Sequence, residues 1–173
     1  MNRKTNLNAA TVEAIGQFRQ ATPLLAIAGQ PREEDLAHLA AAGFEAVINL
    51  GLEYAEYALL DERSSSGQFG MAYVNIPVIW ERPNFVQFEV FCEFLEAWRE
   101  RKVFVHCAEN KRASVFVALY LIIYRGLPSQ ESLRLVYEQW TPNGTWQAFI
   151  DKVLAERGAS GAAHLLSGTY PAG

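Results

Sequence analysis

Short apolar runs alternate with longer segments of helical spacing along most of this chain. Leu25-Ala26-Ile27-Ala28 precedes an amphipathic segment, Glu33 to Ala42, that stops at Gly43. Phe44 to Leu50 reads as a buried strand, Tyr73 to Val78 as another, and Lys102 to Val105 as a fourth short run. Strands at about 24–28, 45–50, 72–77 and 102–106 therefore alternate with helices at about 32–42, 84–100 and 113–125. This order predicts an α/β fold with a mainly parallel central sheet flanked by helices. Gly126 and Pro128 end the third helix, Ser129 is placed to cap another to Gln139, and Asn143 to cap a last one. In that last helix Trp146, Phe149, Ile150, Val153 and Leu154 follow the apolar spacing. The residues up to about 12 are read as a further helix, and those after Arg157, rich in Gly, Ala and Ser, as a loose tail.

Length and composition bound what this pattern can build. With 173 residues, half of them hydrophobic, the chain can bury one core, expected over 1–156 with the tail at 157–173. A net charge of −4 lacks the basic footprint that nonspecific nucleic-acid binding requires, so any affinity for phosphate must be local. Met1 to Leu7 is polar, with Arg3 and Lys4, and no signal-peptide core follows, which makes the cytoplasm the expected compartment. Val115 to Tyr124 is apolar but too short for a bilayer, and no membrane attachment is expected. Two cysteines make no disulfide framework. Cys92 shares a helix face with Phe85, Phe88 and Leu95 and reads as core; His38 reads as exposed, and His164 falls in the tail. No spacing of His, Cys, Asp and Glu suggests zinc, and no cofactor is implied. Trp80, Trp140 and Trp146 read as packing, Trp80 being able to line a pocket mouth beside Glu81.

The chemistry concentrates in His106-Cys107-Ala108-Glu109-Asn110-Lys111-Arg112-Ala113-Ser114, between the run that ends at Val105 and the run from Val115. A buried strand that ends on a cysteine, turns, and enters a helix forms an anion cradle around sulfur. Helix N-termini carry unpaired N–H groups and roughly half a positive charge, and they bind oxyanions readily. Successive inward N–H groups of the loop add a concave nest, and the same field favours a thiolate at Cys107. Asn110 stands mid-turn, where a left-handed residue is often needed. Arg112 offers a planar fork for two anion oxygens, while Lys111 is either a solvated charge or a second cation for the anion. A cysteine at the carboxyl end of a sheet strand is also where open α/β folds place ligands.

At these residues the chain resembles the cysteine-dependent phosphatases of the protein tyrosine and dual-specificity superfamily, whose loop reads His-Cys, five residues, Arg, then Ser or Thr. Here Ala113 stands where that family has arginine, Arg112 comes one residue early, and Ser114 falls at the hydroxyl position. One residue at a helix entrance turns a side chain by about 100°. Glu109 adds a carboxylate that repels a dianion unless it points outward. The spacing from Cys107 to Arg112 also resembles the tighter active loop of rhodanese-type sulfurtransferases, and the local motif does not choose between them. The order of elements over roughly 24–155 is similar to small bacterial dual-specificity-like phosphatases, including a domain of beta-lactamase-hydrolase-like proteins. Trp140-Thr141-Pro142-Asn143 with Trp146 resembles a bacterial subgroup that has the same shifted arginine.

The resemblance implies that Cys107 attacks phosphorus and that the amides of His106, Ala108, Glu109, Asn110, Lys111 and Ala113, with Arg112, hold the phosphate. It implies a thiolate-bonding role for Ser114 and a loop-orienting role for His106. The family's general acid comes from the loop after the strand that matches Tyr73 to Val78, where Glu81 is the single carboxylate between Val78 and Gln87. Asp61 and Glu62, in a Ser/Gly-rich loop, read as surface residues. Three functions follow: a phosphatase acting on a phosphorylated small molecule or phosphoprotein, a pseudophosphatase that only binds phosphate, or a sulfurtransferase. Ala113→Arg is expected to raise phosphatase activity if the displaced arginine is a defect.

Overall fold

In the computed structural model the described residues are 12–166, with side chains through Arg157. One five-stranded sheet runs in the order β1-β2-β5-β3-β4. Its strands are β1 (Arg19–Thr22), β2 (Leu25–Ala28), β3 (Ala46–Asn49), β4 (Ala72–Asn75) and β5 (Val103–His106). β2, β5, β3 and β4 are mutually parallel, and β1 pairs antiparallel at the edge. The helices are α1 (Glu33–Ala41), α2 (Glu62–Gln68), α3 (Phe85–Ala97), α4 (Lys111–Ile123), α5 (Ser129–Tyr137) and α6 (Gly144–Leu166).

Every residue of β2, β3 and β5 is buried, as expected of parallel strands covered on both faces. Successive side chains then divide between two cores. Leu25, Ile27, Ala46, Ile48, Val103 and Val105 pack with Phe88 and Phe91 of α3, Phe116 of α4 and Trp146 and Phe149 of α6. Ala26, Ala28, Val47, Tyr73 and Phe104 pack on the other face with Leu36 and Leu39 of α1. α4 is buried from Arg112 to Leu121 because it lies inside the first core, which fixes its N-terminus at the carboxyl end of β5.

Four expectations need correction. β1 was not foreseen, since Arg-Gln-Ala-Thr has no apolar alternation and takes its order from β2 and from an Arg19–Glu138 ion pair of 2.6 Å. α2 stands where a Ser/Gly-rich loop was expected, started by Asp61, whose carboxylate accepts the Ser64 N–H at 3.0 Å. α4 begins two residues earlier than the apolar run suggests, because the polar Lys111 and Arg112 already belong to its first turn. α5 is preceded by Pro128, so Ser129 is inside the helix and is not its cap. Asn143 does cap α6, accepting from Trp146 N–H at 3.0 Å, and Asn84 caps α3 through Gln87 N–H at 2.9 Å. Such caps contribute about 1 kcal/mol each. The helix read before residue 12 lies outside the described residues. α6 extends to Leu166, into the segment expected as a tail, and the rest of that segment is outside them. No described helix is long and apolar enough to cross a membrane.

Candidate active site

Between β5 and α4 the chain turns through Cys107 to Asn110, and Asn110 adopts the left-handed conformation, φ 62° and ψ 2°. That backbone lets the strand reverse into a helix, and asparagine tolerates it better than most residues. Its side chain is fixed from two sides: Nδ2 donates to the Gln17 carbonyl and to Gln139 Oε1, each at 2.9 Å. Gln139 in turn donates to the Glu109 carbonyl at 3.1 Å, and Gln30 N–H donates to the Ala108 carbonyl at 3.0 Å. Gly29 permits this approach, since a Cβ there would come within 2.9 Å of the Ala108 oxygen and 2.8 Å of Gln17 Oε1. α4 closes its first turn with Ser114 N–H donating to Asn110 O at 2.9 Å. The amides of Lys111, Arg112 and Ala113 precede that bond and have no intrahelical acceptor.

A depression of about 310 Å³ opens at this point, lined by Trp80, Cys107, Ala108, Glu109, Lys111 and Arg112. Arg112 therefore reaches the sulfur's cavity despite its shifted position. It is only 7% exposed, and it is held by donating from Nη1 to the Val78 carbonyl at 2.8 Å and from Nη2 to the Tyr57 hydroxyl at 3.3 Å. The Tyr57 oxygen also accepts the Leu52 N–H at 3.1 Å, which anchors the loop after β3 over the arginine. Lys111 bonds Glu109 at 2.9 Å, with its ammonium 5.9 Å from the Trp80 ring and 6.0 Å from Trp140. Glu109 is exposed and carries its counter-charge with it, so it is not a bare carboxylate facing the cavity.

The other residues read from sequence are placed differently. Ser114 Oγ donates to the Lys111 carbonyl at 2.9 Å and accepts from Trp140 Nε1 at 3.2 Å; no bond to Cys107 is among its contacts. Ala113 is fully buried within the core of α4 and does not line the cavity. Glu81 is exposed on the turn closed by Arg82 N–H to Ile79 O, next to Trp80 but outside the cavity wall. That turn is tied down by the three tryptophans: Trp80 lies 5.5 Å from Trp140 and 5.2 Å from Trp146, and Trp146 Nε1 donates to the Trp80 carbonyl at 3.0 Å. His106 is not held by backbone bonds alone, because its ring meets the Glu62 carboxylate at 2.5 Å. Glu62 is accordingly buried, contrary to its reading as a surface residue, while Asp61 is exposed as expected. His38 is partly covered, with its Nδ1 buried. Among the described residues no group of three or more His, Cys, Asp and Glu is arranged to hold a metal ion.

The residues that sequence reasoning missed are Glu62, Tyr57, Gln30, Gln17 and Gln139, all brought in from outside the loop. Only Glu62 had a local signal, the Asp61 cap spaced three residues before Ser64.

The family model described as a DSP-PTPase phosphatase fused to NAD+ kinase matches residues 10–148. No curated protein is significantly similar in sequence. Among solved structures, a protein of the DUF442 group from Shewanella putrefaciens CN-32, assigned as a phosphatase, is 31% identical with a TM-score of 0.79, over 86% of this chain and 97% of that one. Tk-PTP in its active form is 24% identical with a TM-score of 0.67, over 82% and 97%. TpbA of P. aeruginosa, in complex with phosphotyrosine, is 19% identical with a TM-score of 0.64, over 82% and 90%. The last two are likenesses of fold.

Proposed function

This chain belongs to the family described as DSP-PTPase phosphatases fused to NAD+ kinase, within the cysteine-based phosphatase superfamily, and on that premise we propose that it hydrolyses phosphomonoesters through a cysteinyl-phosphate on Cys107. The observation that carries the proposal is the meeting of Cys107 and Arg112 in one cavity at the free amides of α4. A guanidinium has five N–H donors; Val78 and Tyr57 take one each, which leaves three for an anion. The position one residue early is thus compensated by two anchors that hold Arg112 at the cavity.

In this reading Cys107 Sγ attacks phosphorus in line, and the bond to the leaving oxygen breaks as the S–P bond forms. The amides and Arg112 hold the equatorial oxygens, whose charge they stabilise by being already in place. Glu81, carried on the turn beside Trp80, gives a proton to the leaving oxygen. As a carboxylate it then takes a proton from water, which attacks phosphorus and breaks the S–P bond, releasing phosphate and thiolate. Ser114 acts on the loop through the Lys111 carbonyl, with its hydroxyl already engaged. The substrate is a phosphorylated small molecule or a phosphoprotein, and the phosphotyrosine in the TpbA complex gives the first phosphoprotein class to assay. Against a bare binding module stands the access of Arg112 to the sulfur's cavity.

The test is hydrolysis of para-nitrophenyl phosphate by wild type and Cys107→Ser between about pH 5 and pH 8, with orthovanadate as inhibitor. Turnover that vanadate blocks and the variant lacks supports the proposal. If there is no turnover but phosphate still shields Cys107 from alkylation, the chain is a binding module. Without turnover or protection, cyanide-dependent release of thiocyanate from thiosulfate becomes the next assay.

A further inference from the structure

A second cavity, of about 350 Å³, opens at the end of β5 opposite Cys107. Its floor includes Leu25 and Val103, register partners at the amino ends of β2 and β5, and Leu121 near the end of α4; all three are buried. A strand rises about 3.3 Å per residue, which puts Val103 and Cys107 about 13 Å apart and separates this cavity from the one that holds sulfur. The lip is apolar too, with Leu24 42% and Leu127 37% exposed. Arg99 and Arg101, from the turn between α3 and β5, and Arg125, just after α4, add the charge.

Two of these cations are not engaged by the described residues. Arg99 pairs with Glu100 at 3.5 Å, and the neighbouring Lys102 turns away to the Ala42 carbonyl at 2.9 Å. Arg101 and Arg125 have neither a carboxylate nor a side-chain hydrogen bond among the described residues. Residues 1–11 and 158–173 contain no aspartate or glutamate, so no side-chain carboxylate of those segments can pair them. Arg99 and Arg125 follow the ends of α3 and α4, where a cation complements the helix dipole; Arg101 lies beyond that turn, and the dipoles give no role to the apolar floor. Tyr120, in the wall, donates its one hydroxyl proton to Glu96 at 2.7 Å. A fully ionised oxyanion only accepts, so its binding here falls to the guanidinium groups. The volume is near the lower end of the roughly 300–1,000 Å³ typical of small-molecule sites.

We propose that this cavity is a second binding site, for a small amphipathic anion whose apolar chain lies on Leu25, Val103 and Leu121 and whose carboxylate head bonds Arg101 and Arg125. Binding there needs no turnover at Cys107, so its failure leaves the phosphatase reading untouched. The test titrates octanoate, which is no phosphomonoester, into the full chain while NMR follows the indole N–H signals of the four tryptophans. Trp98, which lines the cavity, is assigned by Trp98→Phe. Its signal is expected to shift to saturation with a Kd below about 1 mM, while Trp80 and Trp140 stay unmoved. Octanol, with the chain but no charge, is expected to bind wild type at least about tenfold more weakly. Arg101→Gln combined with Arg125→Gln is expected to bind the two alike. No shift at Trp98, or equal affinity of wild type for octanoate and octanol, overturns the proposal. Undiminished octanoate binding by the double variant also overturns it; if that variant does not fold, the wild-type comparison decides. Sedimentation with phosphatidylglycerol vesicles but no response to free octanoate would overturn it too, and would make the patch a membrane contact.

Discussion

Cys92 and Cys107 are equally hidden, at 0% and 1% exposure, yet their neighbourhoods differ in kind. Cys92 sits in the aromatic and aliphatic core of α3 with Phe88, Phe91 and Leu95. Burial first, and then the charges of Glu89 and Glu96, push its thiol up, so it stays protonated and inert. Cys107 follows a strand and shares its cavity with Arg112 at the unpaired amides of α4, while the carboxylate nearest in sequence, Glu109, is paired with Lys111. Burial does not separate a structural cysteine from a reactive one; the sign of the local charge and the supply of donors do.

Exchanging the two sulfurs breaks the comparison most sharply. Cys107→Ser is expected to lose at least about 10³-fold in kcat for para-nitrophenyl phosphate. Cys92→Ala is expected to keep turnover within about twofold, while chemical denaturation shows a loss of about 1–2 kcal/mol from the cavity left in the core. Next in size is Arg112→Lys, which keeps the charge but has three donors on a single nitrogen, too few to hold two anion oxygens as well as Val78 and Tyr57; kcat/KM should fall about 10²- to 10³-fold. Glu81→Gln sharpens the role of the turn beside the cavity. It should cost about 10²-fold on an alkyl phosphate and much less on para-nitrophenyl phosphate, whose leaving group needs little protonation.

Ala113→Arg tests whether the cavity tolerates the arginine moved by one residue. Ala113 is fully buried, so the variant is expected to lose about 1–3 kcal/mol by overpacking and to gain no activity. The smallest effect belongs to the far edge of the sheet, where Arg19 and Arg134 hold the Glu138 carboxyl below its ordinary value. A lowered carboxyl contributes stability above the usual carboxylate range and loses it as pH falls through the folded value. Glu138→Gln should therefore melt slightly below wild type at neutral pH, and the difference should vanish in acid.

The same contrast governs what the sequence made legible. β2, β3 and β5 could be read because strands buried on both faces leave continuous apolar runs, and α4 because it is apolar nearly all round. β1 could not, being a short polar edge held by its neighbour. Neither could α2, whose Ser and Gly residues break helical patterning. Cys107, Asn110 and Arg112 were legible because strand, left-handed turn and helix entrance are local. Glu62 reaches His106 across 44 residues and Tyr57 reaches Arg112 across 55, contacts that exist only once the sheet brings the loops after β3 and β5 together. The Ser114 hydroxyl illustrates the converse: its place in the loop is local, but its partners are Trp140 and the Lys111 carbonyl, which the local pattern does not reveal.

The central claim, that Cys107 carries the phosphoryl group, is tested most directly by acid-quenching wild-type protein during turnover of para-nitrophenyl phosphate and mapping the modified peptide by mass spectrometry. The account predicts phosphate on Cys107, absent from Cys107→Ser and never on Cys92. Turnover with no phosphocysteine, or with phosphate on another residue, would contradict it.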